Sequence, residues 1–173
     1  MTLEKAKLKA IDNDVEDIEF MFNPNELSFG RSMELEQAKG AHTGTGENKT
    51  SFKYPKPYSL SIKNIIFDTY ETGENVLTYV EKFTKSVEFT QKGEGEKKRP
   101  PIYLFTWGNN QYLRCFVKSL NFKLSLFLSD GTPVRASIDL SLEQVELATP
   151  SRGQSPANPT AGQRQSAPSI FLS

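Results

Sequence analysis

Between residues 100 and 146 hydrophobic and polar positions alternate with a period of two, as they do on strands with one face buried. Val134, Ala136, Ile138, Leu140 and Leu142 fall on one side, and Arg135, Ser137, Asp139, Ser141 and Glu143 on the other. The preceding segment repeats this, with Phe122, Leu124, Leu126 and Leu128 opposite Lys123, Ser125 and Ser129; Phe127 is an aromatic on the polar side. Asp130-Gly131 between the two segments is a strong hairpin-turn signal. An earlier turn, Gly108-Asn109-Asn110, divides residues 102–107 from residues 112–120. The pattern predicts three or four consecutive antiparallel strands.

The N-terminal half follows the same logic less cleanly. Lys5, Lys7 and Lys9 alternate with Ala6, Leu8 and Ala10, which predicts a first strand whose basic stripe serves solubility and edge protection. Asp12-Asn13-Asp14 reads as a turn and residues 18–22 as a second strand, ended by Asn23-Pro24-Asn25 because proline cannot donate to a ladder. The run Asp12, Asp14, Glu16 is not a calcium loop: Asp17 and Asn23 stand where that loop needs Gly and Glu. Residues 27–35 alternate, with Leu27, Phe29, Arg31, Met33 and Leu35 on one side. Residues 37–53 are rich in Gly and Thr and nearly free of apolar side chains, so a long mobile loop is expected there.

A strand is expected over residues 58–67 and a helix over 74–87, where Val76, Leu77, Val80, Phe83 and Val87 recur at helical spacing. Thr72 is its expected N-cap, with Glu71 and Glu74 at the start and Lys82 and Lys85 at the end. A second polar insertion covers residues 90–99. From Ala148 the chain turns to Pro, Ser, Gln and Gly, which predicts a flexible tail over 148–173 carrying Ile170-Phe171-Leu172. That apolar triplet is expected to act as a docking peg on a partner. The fold expected over residues 1–147 is mainly β: a closed or nearly closed antiparallel β-barrel, or a two-sheet sandwich, of seven or eight strands with a single flanking α-helix.

Composition narrows the function classes. The chain has 173 residues, and its 21 basic side chains equal its 21 acidic ones, which gives no general attraction to nucleic acid or anionic membrane. Its single cysteine, Cys115, forbids an internal disulfide, and no stretch reaches the ~18 apolar residues of a membrane helix. The lysine-rich first ten residues lack the apolar core of a cleaved leader. His42 is the only histidine and sits in the glycine-rich segment, a poor place for a preorganised base. One His and one Cys do not make a zinc site. Gly44–Thr50 lacks the spacing of a phosphate loop, and Asn48-Lys49-Thr50 is a glycosylation triplet only in form. Trp107 with Tyr103 and Phe105, near Lys97-Lys98-Arg99, is better explained by packing than as a stacking platform for single strands. No enzyme, cofactor, metal site, nucleic-acid partner or membrane insertion is expected.

Four segments carry a resemblance. Phe20-Met21-Phe22-Asn23-Pro24-Asn25-Glu26-Leu27 resembles the opening motif of tube-domain proteins of contractile injection systems, the phage-tail-like particles that drive a rigid tube into a target. Residues 66–76, IFDTYETGENV, are similar to that family's strand-to-helix junction. Residues 99–108, RPPIYLFTWG, and 126–136, LFLSDGTPVRA, are similar to two further motifs, in the same order.

The resemblance implies a structural subunit similar to phage tail-tube proteins, with a β-barrel and flanking helix assembling into a homo-hexameric ring. It implies a place at the base of the inner tube, as tube initiator or adaptor between the spike hub and the first tube ring. Partners would then be the spike or hub protein, the inner tube protein and other baseplate subunits. Assembly would take place in the bacterial cytoplasm, before incorporation into the particle. Members of this family commonly carry a LysM module after the tube domain; here only the Pro/Ser/Gln tail is read after Glu146, so contacts of such a module are not expected. The residues expected to meet partners are Phe22, Asn23, Pro24, His42, Lys49, Lys97, Lys98, Arg99, Ile170, Phe171 and Leu172, the two polar loops ordering on assembly. Ser137, Asp139 and Ser141 face either a wetted lumen or bulk solvent. From another class, a lipocalin-type barrel would use the apolar strand faces as a ligand cavity. An OB-like binder of single-stranded nucleic acid is disfavoured by the neutral charge.

Overall fold

A computed structural model describes residues 2–12, 14–42, 48–89 and 98–145, with the backbone alone for residues 37–42 and 48–50. Among the described residues there are nine strands and one helix: β1 (Ala6–Ala10), β2 (Ile18–Glu19), β3 (Ser28–Gly30), β4 (Met33–His42), β5 (Asn48–Pro55), β6 (Ser59–Asp68), α1 (Leu77–Lys85), β7 (Tyr103–Trp107), β8 (Asn110–Phe127) and β9 (Pro133–Gln144). Seven of the strands form one antiparallel sheet in the order β2-β1-β7-β8-β9-β6-β3, and β4 with β5 makes a separate two-stranded ribbon. The large sheet curls into a half-barrel.

The concave face is the core. Leu60, Ile62, Ile65 and Phe67 of β6 and Ala136, Ile138, Leu140 and Leu142 of β9 are buried there, together with Leu8, Phe20, Phe105, Cys115 and Val117. Helix α1 closes over them: Phe83 is fully buried, its ring 5.6 Å from Phe67 edge-on and 6.1 Å from Phe20. Burying each of these large side chains contributes about 1.5–3 kcal/mol. The half-barrel is therefore filled by its own aromatics and helix.

Three register slips interrupt the large sheet, the first between Phe105 and Thr106 where β7 meets β8. In β6 the register slips between Ile62 and Ile65, where Asn64 takes a left-handed backbone (φ 57°). The side chains of β9 hold that irregularity: Asn64 N–H donates to Asp139 Oδ1 at 2.7 Å, and Ser137 Oγ donates to Asn64 Oδ1 at 3.0 Å. In β8 the slip lies between Val117 and Ser119. An extra residue reverses the alternation, so the core side changes from Leu113, Cys115 and Val117 to Leu120 and Leu124.

Three expectations need correction. Residues 37–53 are not a long loop: β4 and β5 pair from Met33↔Pro55 to His42↔Asn48, and only residues 43–47 between them lie outside the described residues. The segments 112–120 and 122–128 are not separate strands but parts of one 18-residue strand, kept continuous by the bulge. The helix is shorter than periodicity suggested, and Thr72 does not cap it. Its N-cap is Val76, while Asn75 Oδ1 accepts from Leu77 N–H at 2.9 Å and Thr72 Oγ1 instead donates to the carbonyl of Thr69. Residues 90–97 of the second polar insertion and the expected tail lie outside the described residues.

Candidate functional site

Among the described residues the chemistry-bearing side chains do not converge. Cys115 is buried, and burial pushes its thiol up to about 12, so it is no nucleophile near neutral pH. Tyr103 is also pushed up to about 12, first by burial and then by the nearby charges of Asp12 and Asp17. Among the described residues no group of three or more His, Cys, Asp and Glu is placed to hold a metal ion. No described helix is long and apolar enough to cross a membrane. What the structure presents instead is backbone and apolar surface still to be paired.

The first such feature is the edge of β8. β7 covers it only from Asn110 to Cys115; among the described residues, Phe116–Phe127 pairs on its β9 side alone. That leaves roughly 40 Å of strand edge at about 3.3 Å per residue, a template for another strand. It is lightly guarded: Lys118 is held by an ion pair to Glu143, and Lys123 stands exposed. Leu126 near its end takes φ 59°, a rare conformation for a bulky residue, and is 40 % exposed. Phe122 and Leu77 flank an open cleft beside it, each about as exposed.

On the other side of β9, among the described residues, β3 covers β6 only at Ser59–Ser61, so most of β6 offers a second edge. At its far end the seam toward β2 is drawn together by Asp68 N–H against Met21 Sδ at 3.2 Å. Asp68 also pairs with Arg135 across the strands. Its carboxyl is held below the usual carboxylate range, first by the N–H of Tyr70 and then by that guanidinium.

The third feature is the β4–β5 ribbon, which prolongs the β3–β6 ladder past Ser59 through Lys56 N–H donating to the Ser32 carbonyl at 2.7 Å. Its faces differ sharply. Glu34, Glu36, Ser51 and Lys53 lie on one, where Glu36–Lys53 pair at 3.9 Å and Glu34 reaches Lys56 at 2.8 Å. The Lys56 ammonium holds the Glu34 carboxyl below its ordinary range. Met33, Leu35 and Phe52 lie on the other, with Phe52 77 % exposed, while the bulge opposite Glu34 turns Tyr54 towards Lys56. An isolated ribbon cannot bury its own apolar face.

The residues expected from sequence to meet partners fall in separate places. Phe22 is exposed, with the Lys5 ammonium 5.9 Å from its ring centre. Asn23 works within the subunit: its Oδ1 accepts from Ala6 N–H at 2.8 Å and its Nδ2 donates to the Glu4 carbonyl at 2.8 Å. It thus continues the strand pairing that the two-residue β2 leaves short, and Pro24 beside it is buried. Arg99 forks onto Asp12 with both distances 2.8 Å, and Asp12 also accepts from Ile102 N–H; Lys98 next to it is exposed. That clamp fixes where the chain re-enters β7. His42 and Lys49 lie near the distal end of the ribbon. Lys97, Ile170, Phe171 and Leu172 lie outside the described residues. Sequence reasoning missed the β8 edge and the apolar ribbon face. The signals were present: Phe52 stands between Ser51 and Lys53 as Leu35 stands between Glu34 and Glu36, and the change of phase after Val117 marks a bulge rather than a strand end.

No match to the chain is found among curated proteins. The profile of one protein family, described as contractile injection system tube protein, matches residues 1–151, which include every described strand and the helix. The chain belongs to the contractile injection system tube protein family.

Proposed function

We propose that the chain forms a homo-hexameric ring at the base of the inner tube and adapts the spike hub below to the first tube ring above. Family membership makes it a structural component of an assembled contractile injection particle, working with other tube or baseplate components, and points to a non-enzymatic role. The finer placement is supported by the order of the motifs at residues 20–27, 66–76, 99–108 and 126–136. In this reading the subunit assembles in the bacterial cytoplasm before joining the particle.

The observation that carries the ring is the pair of open edges around β9. Among the described residues, sheet β8-β9-β6 has one free edge along Phe116–Phe127 and another along most of β6, so head-to-tail contact would continue the sheet from copy to copy. An edge of this length is an aggregation hazard unless a partner covers it. A lipocalin-type reading gains nothing from the geometry, because Phe20, Phe67, Phe83 and Phe105 fill the apolar side of the half-barrel.

The test is deletion from the producing cell. Particles should then lack ordered tubes, and the purified chain should rescue tube assembly. Normal tubes after deletion would exclude a role in tube initiation, as would a copy number in wild-type particles that matches the main tube protein.

A further inference from the structure

We propose that Met21 is a displaceable latch on the outer edge of β6. In the free subunit its thioether holds the Asp68 N–H, and in the ring a main-chain carbonyl from β8 of the next copy takes its place. This rests on the ring reading above and names the group that guards the edge before assembly.

The register fixes which groups face outward. Ile66 pairs with Ser137, Phe67 with Ala136 and Asp68 with Arg135, and Thr69 N–H donates inward to the Val134 carbonyl at 2.8 Å. Main-chain groups alternate along a ladder, so Ile66 and Asp68 turn theirs away from β9. There the Asp68 N–H meets Met21 Sδ at 3.2 Å, and sulfur is a weak acceptor where a sheet supplies a carbonyl. The latch can open without unfolding, because the backbone around it is pinned. Lys5 Nζ donates to the Met21 carbonyl, Phe20 N–H donates to the Ala6 carbonyl at 3.0 Å, and Asn23 is tied to Ala6 and Glu4. The Met21 side chain is unbranched and only partly buried, and it borders a cleft of about 370 Å³, lined by Ile18, Phe20, Phe67, Tyr79 and Phe83, that can receive it.

Level and direction select the occupant. Across Ser137 and Arg135, Ile66 and Asp68 stand level with Lys123 and Ser125, inside the open edge of β8. β6 and β8 each run antiparallel to β9, hence in the same sense as one another. Rotation about a ring axis keeps both level and sense, so β8 of the next copy arrives beside Ile66 and Asp68 as a parallel strand. A parallel ladder gives each outward N–H a carbonyl of its partner, the role that sulfur fills in the free subunit.

The test compares the full chain with Met21→Leu, which keeps the apolar bulk and loses the acceptor. Hydrogen exchange is read residue by residue in dissociated subunits and in rings. In subunits the Asp68 amide of the variant should exchange about tenfold faster than that of the parent, and in rings the two should be equally slow. A second measurement needs no variant: the ε-methyl resonance of Met21, one of three methionines, should shift when the methyl-labelled parent assembles. An exchange difference that persists in rings, or a methyl resonance that does not move, would leave the sulfur in place and overturn the latch. Equal exchange in the subunits overturns it too. In each of these cases the ring reading stands, whereas a parent chain that forms no ring overturns both.

Discussion

Asn23→Ala separates a residue that meets a partner from one that builds the subunit. The Asn23 amide makes two hydrogen bonds at 2.8 Å, one accepting from Ala6 N–H and one donating to the Glu4 carbonyl. Each contributes about 0.5–1.5 kcal/mol net, and stranding a buried donor costs about 1–3 kcal/mol. Ala6 is fully buried, so removing the side chain strands its N–H in the core, and the expected loss is about 2–4 kcal/mol. For a domain of this size that corresponds to a fall in Tm of roughly 5–15 °C. Differential scanning calorimetry of the dissociated subunit reads it. Asn23→Asp keeps the acceptor and loses the donor, so its loss should be smaller at neutral pH. A Tm within about 2 °C of the parent, with ring assembly abolished, would refute this reasoning and make Asn23 an interface residue.

Other outcomes follow from single features. Gly131 stands at φ 88° with its N–H donating to the Leu128 carbonyl, so Gly131→Val should cost about 1–3 kcal/mol through backbone strain, although a side chain there meets open space; unchanged urea unfolding would count against the turn. The Asp68 carboxyl is depressed in the folded chain, so its stabilisation is present above the ordinary carboxylate pKa and is lost as pH falls through the lower folded value. Asp68→Asn should therefore be less stable than the parent near pH 7, with the gap closing below about pH 4 in a pH series of thermal melts; a constant gap would contradict it. Cys115, with its thiol pushed up to about 12, should react with Ellman's reagent at pH 8 only as fast as the subunit opens; immediate modification would place it at the surface.

Much of this fold was legible because strands with one buried face announce themselves. β1, β6 and β9 follow from alternation, and α1 from the helical spacing of Val76, Val80 and Phe83. The ribbon was not legible, for a physical reason. Among the described residues nothing covers its apolar face; its sequence carries no dense hydrophobic run, and Gly40 and the polar residues around it resemble a loop. The long β8 was read as two strands because its bulge shifts the core positions from odd to even, and strict alternation fails there. The expected site residues illustrate the same limit. Asn23 and Arg99 are conspicuous in sequence, yet their side chains are engaged within the subunit. The open edge of β8 involves main-chain groups, which no residue type advertises.

The central claim is that the open edges of β6 and β8 meet between copies. Cryo-electron microscopy of rings assembled from the full chain tests it most directly. The account predicts a closed ring in which β6 of one copy runs beside Phe116–Phe127 of the next, in one continuous sheet. A chain that stays monomeric at high concentration, or a ring that leaves the β8 edge facing solvent, would contradict it.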